Sequence, residues 1–319
     1  YAQKASAYLE ECIKNQDYDH NNMEVVLVDG ASTDNTRALM CEFALDNKDE
    51  FRRVVVLDNP KKTLPSGWNV ALREYKGDAI IKVDAHAVIP EDFVSKNVRV
   101  LETGEYICGG QRPNIIDKPT PFKETLLLAE SSMFGSSIAS YRNNPGKTYV
   151  KSLFHAAYRR EVFEKVGFFN EELVRTEDNE IHYRMRKAGY KLCFDPDIIS
   201  YQYTRSSLKA MLKQKYANGY WIGKTSKVCP KCLSIYHFVP FAFVSAIIAS
   251  GSVIGATGLA ECIKKRHNHT LGKGISALRK VTVVLTTVMW VLYALMASGM
   301  AAVSAFKAED KRNITNACL

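Results

Sequence analysis

The sequence predicts an α/β domain, a three-layer sandwich with a mostly parallel central sheet, followed by C-terminal membrane helices. Three observations carry this. Short apolar, β-branched runs alternate with helical stretches over the first two-thirds of the chain, which is the pattern of βαβ units. Several runs stop on an acidic residue, as strands do when they deliver side chains to a ligand cleft at their carboxyl ends. Two late runs, Phe238 to Ala260 and Val281 to Phe306, carry no charge and are long enough to cross a hydrocarbon layer of roughly 30 Å. The expected division is a sandwich domain over 1–225, a linker over 226–237 and a membrane region over 238–319.

Ala2 to Asn15 reads as a helix with Ala5, Leu9 and Cys12 on one face. A helix at the head of an α/β domain is unusual, and implies that a first strand is missing from these residues. Glu24 to Val28 reads as a strand buried on both faces. It ends in Asp29-Gly30-Ala31-Ser32-Thr33-Asp34, a turn whose Ser, Thr and Asp suit the cap of a helix running to Asp46. Asp29, at the strand's mouth, is placed to hydrogen-bond a nucleobase or ribose. The glycines do not follow G-x-G-x-x-G and no Walker lysine is present, which disfavours NAD and ATP.

Arg53 to Leu57 is the next strand, Ser66 to Tyr75 the next helix, and Asp78 to Asp84 a strand tipped by Asp84-Ala85-His86. Residues two apart share a side of an extended chain, so Asp84 and His86 converge on one divalent cation or one diphosphate. Pro90 opens a helix to about Leu101. Gly109-Gly110-Gln111-Arg112 either brings backbone close to a ligand or is a plain turn. Arg142 to Lys147 is a loop, read as a surface connection or as a lid. Glu177 and Asp178 begin a helix with Ile181 and Met185 toward the core and Gly189 at C′. Acids there complement the helix dipole, and such a carboxylate is also placed to act as a general base.

The net charge of +9 is read against the apolar runs. Lys209, Lys213, Lys215, Lys224, Lys227 and Lys231 crowd the approach to the first of them, as on a cytoplasmic face beside anionic lipid. No nucleic-acid recognition signature is present, so no nucleic acid is expected. If both runs span, the link carrying Lys264, Lys265, Arg266, Lys273, Arg279 and Lys280 conflicts with the positive-inside rule; the first run, with Gly251, Gly255 and Gly258, either spans or bends back. The eight scattered cysteines fit a reducing compartment. Cys229-Pro-Lys-Cys232 has metal or redox spacing but no second Cys/His pair nearby.

Four motifs occur in order: Val-Asp-Gly-Ala-Ser-Thr-Asp at Val28 to Asp34, Ser-Gly-Trp-Asn-Val-Ala-Leu at Ser66 to Leu72, Gly77-Asp78, and Val-Asp-Ala-His at Val83 to His86. Tyr158 to Phe163, Val166 to Glu171, Thr176 to Glu180 with Arg184, and Gln214 to Trp221 continue the series. Their order resembles the inverting family 2 glycosyltransferases of GT-A fold over roughly Ala2 to Lys224. Within that family it is most similar to succinoglycan-type bacterial glucosyltransferases, where Asp-Ala-His replaces the commoner Asp-x-Asp.

The resemblance implies transfer of a hexose from a UDP-sugar to a lipid-linked saccharide acceptor in exopolysaccharide or cell-surface glycan synthesis. The catalytic domain would then lie on the cytoplasmic side of the inner membrane. It implies donor binding by Asp29, Ser32, Asp34, Asn69 and Asp84, and a Mg²⁺ or Mn²⁺ ion on Asp84 and His86. Asp178 is the implied base, with Glu177 as understudy, and Gln214, Gly219 and Trp221 the acceptor side. Ala217 and Asn218 stand where processive synthases have the Arg-Trp of Gln-x-x-Arg-Trp, which favours addition of one sugar over polymerisation. A nucleotidyltransferase and a non-catalytic membrane scaffold are the other readings.

Overall fold

Strand β1 (Glu24–Asp29) pairs in parallel with β2 (Arg53–Asp58), in register from Glu24 opposite Arg53 to Asp29 opposite Asp58. The protein is described by a computed structural model covering residues 10–132, 146–267 and 272–317, with side chains described to residue 306 of the last helix. Of the expected first helix, residues 10–14 (α1) are helical, and Arg142 to Pro145 of the expected lid lie outside the described residues. Helix α2 (Thr36–Asp46) joins β1 to β2, and α3 (Leu64–Glu74) follows β2.

A five-stranded sheet runs β3-β8-β5-β9-β7, built from β3 (Ala79–Ile81), β5 (Ile107–Gln111), β7 (Thr148–Val150), β8 (Ala156–Arg159) and β9 (Leu192–Ile199). Its β5–β9 ladder is parallel; those joining β8 to β3 and β5, and β7 to β9, are antiparallel. The α/β class holds, but this sheet is mixed where a mostly parallel one was expected. The reason is that β8 enters antiparallel between β3 and β5, and β7 lies antiparallel along the edge that β9 presents. A third sheet, ordered β4-β10-β6, joins β4 (Ala87–Val88), β6 (Asn114–Ile115) and β10 (Tyr201–Tyr203).

Strand alternation explains the layers. On one face Ile107, Tyr158, Leu192 and Phe194 pack with Val162 and Phe163 of α6 (Arg160–Val166) and Ile181 and Met185 of α7 (Glu177–Lys187). On the other, their neighbours Cys108, Ala157 and Cys193 pack with Phe93, Val100 and Leu101 of α4 (Phe93–Glu102). Gly189 follows α7 at φ +97°, the left-handed C′ position expected of it. Helix α5 (Pro121–Ser131) and the long α8 (Leu208–Val228) complete this part.

The Gly109–Gly110 pair has a packing role. Gly109 pairs with Phe194 and Gln111 with Ile199, so residues 195–198 bulge across Gly110. A Cβ at Gly110 would overlap the carbonyl oxygens of Ile198 and Asp195. Gly110→Ala is therefore expected to lower stability by about 1–3 kcal/mol or more, read as a fall in melting temperature; an unchanged melt would show that the bulge yields freely.

The chain divides into two compact units, Tyr1–Leu233 and Ser234–Leu319. The residues of the expected linker, 226–237, form the end of α8 and two short 3-10 turns, Pro230–Cys232 and Ile235–Phe238. In the second unit, α9 (Val239–Arg266) and α10 (Lys273–Ala317) are long enough and apolar enough to cross a membrane. Phe243 meets Trp290 and Tyr293 near the start of α9, and Glu261 pairs with Arg279 near its end, so the two helices form an antiparallel hairpin. From Val239 onward the first apolar run is one continuous helix.

Candidate active site

At the carboxyl ends of β3, β5 and β9, and at the start of β8, polar side chains replace apolar ones. Lys82, just past β3, still donates its backbone N–H to Ala156 of β8; beyond it the chain leaves the sheet, and Ala87 donates to the Asp84 carbonyl, closing a turn over Asp84 to His86. This corrects the expected geometry. Asp84 and His86 lie on a turn, where two-residue alternation does not apply, and they face different partners. Asp84 is buried, with Oδ2 3.7 Å from His155 Nε2. The Nε2 of His86 lies 2.7 Å from the Gln202 side-chain amide on β10.

Lys82 is the hub of the cluster. It is 3% exposed and donates to both carboxylate oxygens of Asp178 at 3.0 and 3.1 Å. Its ammonium also stands over the rings of Trp68 and Phe154, at 5.0 and 5.6 Å, while the Arg112 guanidinium stacks on Phe154 at 3.8 Å. Burial disfavours the charge on Lys82, but Asp178, Asp84 and Glu177 outweigh it and raise its pKa. Burial would likewise raise Asp84, yet Lys82, His155 and His86 hold its carboxyl below the usual range. Burial pushes the rings of His86 and His155 downward, toward the neutral form, against the pull of Asp84.

Helix α7 presents Glu177 and Asp178 in its first turn. One turn on, His182 is fully buried between Ser152 Oγ (3.1 Å) and the Tyr158 hydroxyl (2.8 Å), which fixes the helix against the sheet. Thr176, just before the pair, is hydrogen-bonded to Thr225 of α8. Burial, then the neighbouring Asp178 charge, pushes Glu177 upward, and burial pushes Asp178 upward against Lys82. With Lys82 on both its oxygens, Asp178 is the member of the pair that keeps its charge.

A carboxyl raised on folding binds more protons folded than unfolded, so its stabilising contribution is full below the unfolded pKa and is lost as pH rises through the folded one. Glu177→Gln is thus expected to raise the melting temperature at neutral and alkaline pH and flatten its fall. The effect follows a slope of up to about 1.4 kcal/mol per pH unit, with no gain below about pH 4. Parallel melting curves for the two proteins would contradict this.

Asp84, Lys82, His155, Glu177 and Asp178 are therefore gathered at one place. Asp29 stands at the end of the separate β1–β2 sheet, 2% exposed, with both oxygens 3.2 Å from the Ser32 N–H. Helix α3 bridges the two: a Cβ at Gly67 would lie 3.8 Å from Val28, and Trp68 lies beneath Lys82. Ala31, at φ +59°, gives the turn after Asp29 its left-handed kink.

Two expected donor residues serve the scaffold. Asp34 is exposed and accepts from the N–H and hydroxyl of Thr36 at the start of α2, bonds that also lower its pKa. Asn69 is 2% exposed; its amide donates to Phe169 O and Glu171 Oε1 and accepts from Phe169 N, stapling α3 to residues 169–171. These bonds engage both its amide protons and join the motif holding Asn69 to the one holding Phe169.

On α8, Gln214 is half-buried and Gly219 exposed, and Trp221 lies under Lys224 at 4.9 Å. The tie between α8 and the cluster is Thr225, which the sequence reading passed over. It also missed Lys82, His155 and Arg112. For Lys82 the signal was a lysine inside the apolar run Ile80-Ile81-Lys82-Val83, since buried lysines are almost always paired.

A profile described as "Glycosyl transferase family 2" matches residues 2–167, just over half of the chain. The chain belongs to glycosyl transferase family 2. This family 2 enzyme is 30% identical over 203 residues to the succinoglycan biosynthesis protein ExoA of Rhizobium meliloti (strain 1021), covering 62% of this chain and 59% of that protein. It is 26% identical over 252 residues, 76% of each chain, to a dolichyl N-acetyl-alpha-D-glucosaminyl phosphate 3-beta-D-2,3-diacetamido-2,3-dideoxy-beta-D-glucuronosyltransferase of Methanococcus voltae. A solved mannosyltransferase of Pyrobaculum calidifontis superposes with a TM-score of 0.53 at 19% identity, over 89% of this chain and 81% of that one. The fold is GT-A and the chain is a glycosyltransferase.

Proposed function

We propose that this enzyme moves a hexose from a UDP-sugar to a lipid-linked saccharide by a single displacement that inverts the anomeric centre, in exopolysaccharide or cell-surface glycan synthesis. The observation that carries the reading is that Asp178, at the head of α7, and Asp84, beyond β3, lie about the same buried Lys82. A candidate base and a candidate donor-side carboxylate thus share one cluster. Asp178 takes the acceptor hydroxyl's proton as that oxygen attacks the anomeric carbon. Asp29 holds the nucleoside, with the Ser32 N–H fixing its carboxylate. Gln214, Gly219 and Trp221 are proposed for the acceptor side.

The site fits a divalent cation in part. Asp84 Oδ1 is buried with no hydrogen-bond partner in the protein, and a carboxylate oxygen is the donor that Mg²⁺ or Mn²⁺ prefers. Among the described residues no group of three His, Cys, Asp or Glu side chains is placed to hold an ion, so donor phosphates would complete its coordination. Bound there, the ion would neutralise charge on the departing nucleoside diphosphate. The Pyrobaculum neighbour is described in complex with GDP-Man and Mn²⁺, and the name of the Methanococcus relative describes an acceptor sugar on dolichyl phosphate; both support this reading.

The test is to incubate detergent-solubilised full chain with radiolabelled UDP-hexoses and extracted membrane lipid. Release of UDP with label in the organic phase is expected. No UDP release from any UDP-hexose would overturn the donor assignment.

A further inference from the structure

We propose that the end of the sheet opposite the candidate active site carries a separate oligosaccharide-binding site, built on Tyr106, Tyr149 and Tyr190. It lies outside the transfer reaction and does not depend on the UDP-sugar reading. A cavity of about 850 Å³ opens there, within the roughly 300–1,000 Å³ of small-molecule sites. Glu105 and Tyr106 lead into β5, and Tyr190 and Lys191 into β9. The cavity therefore sits at the amino ends of the two parallel strands whose carboxyl ends carry the cluster. The turns that place these residues are tight. Gly104 after α4 and Gly189 after α7 take left-handed backbone, at φ +99° and +97°, and their N–H groups donate to the Leu101 and Arg186 carbonyls that end each helix.

Tyr106 and Tyr149 are 41% and 54% exposed, and the Tyr106 ring meets Tyr190 at 5.3 Å and 54°. Large rings grouped about a hollow in contact with water mark a binding surface, and they offer apolar faces against which the C–H side of a pyranose packs. Glu105, Glu161 and Glu164 supply acceptors for sugar hydroxyls. Tyr149 donates to Glu105 at 2.9 Å, which joins ring and acid into one wall. The charge argues against phosphates. Lys191 stands 4.9 Å over Tyr149 and Lys165 5.0 Å over Tyr190, so tyrosine rings engage both ammoniums, and the carboxylates outnumber them. A nucleotide or an anionic headgroup needs the opposite balance. A neutral oligosaccharide suits it.

The experiment follows cellotetraose, maltotetraose and chitotetraose by saturation-transfer nuclear magnetic resonance over the full chain, solubilised in a detergent without a sugar headgroup. At least one tetrasaccharide is expected to bind, with a Kd on the order of 1 mM or tighter. Tyr149→Ala is expected to weaken that binding at least about tenfold, and Glu164→Gln, which keeps the shape of the wall, about three- to tenfold, the worth of one hydrogen bond. Asp178→Asn should bind the tetrasaccharide as wild type does. Glu164→Gln keeps the test decisive should Tyr149→Ala loosen the edge strand β7. No tetrasaccharide signal from the wild-type chain would overturn the site, as would wild-type binding in Tyr149→Ala or, if that variant melts early, in Glu164→Gln. None of these results touches the transferase reading, which UDP release decides.

Discussion

Asp178→Asn is expected to cut kcat by about 10²–10⁴-fold, the usual worth of a positioned base, while nucleotide binding stays within about twofold of wild type. Asparagine keeps the size and the Oδ1 acceptor of the aspartate, so Lys82 retains one of its two bonds, and the buried ammonium still has Asp84 and Glu177 nearby. The helix is separately held by His182 between Ser152 and Tyr158 and by Thr176 on Thr225, so its first turn keeps its place. A fall in kcat with UDP affinity unchanged identifies the base. Loss of nucleotide binding in parallel with kcat would move Asp178 to the donor side.

Lys82→Met is expected to have the largest effect on stability. The ammonium is the cation that Asp84, Glu177 and Asp178 share inside the protein, and removing one partner of a buried ion pair costs about 3–5 kcal/mol because the remaining charge stays buried. Methionine nearly matches the apolar stem that lies between Trp68 and Phe154, so the loss reports charge more than packing. Acidification should partly restore the variant, since protonating the carboxylates removes the uncompensated charge. Equal melting temperatures for Lys82→Met and wild type at neutral pH would show that the carboxylates find other partners.

Much of the frame was legible. The β-branched runs at Glu24 and Arg53 became strands, each extended by its terminal aspartate, because burial on both faces leaves little else for such runs to do. Helix α7 followed its periodicity, with Ile181 and Met185 fully buried. The apolar runs set the membrane-length stretches but not the helix ends: α9 continues to Arg266 and α10 begins at Lys273, since charged residues prolong a helix that hydropathy alone would stop.

The site was harder to read because side chains with the same sequence signature do different physical work. Asp29 and Asp34 sit five residues apart in one turn, yet one is buried at a strand end and the other accepts from Thr36 at the solvent-exposed head of a helix. Asn69 lies in a family motif and serves a staple. Asp84 and His86 were paired on a strand rule that stops applying at Ile81, where β3 ends. Lys82 and His155 meet only through the β3–β8 pairing, a contact across more than seventy residues that local pattern does not report.

The anomeric configuration of the first-formed product, read by nuclear magnetic resonance after transfer from an α-linked UDP-hexose, tests the single base-assisted displacement at Asp178 most directly. A β-linked product from wild type, formed about 10²–10⁴-fold more slowly by Asp178→Asn, is the expected result. An α-linked product would require two displacements or a front-face attack, and would contradict the role given to Asp178.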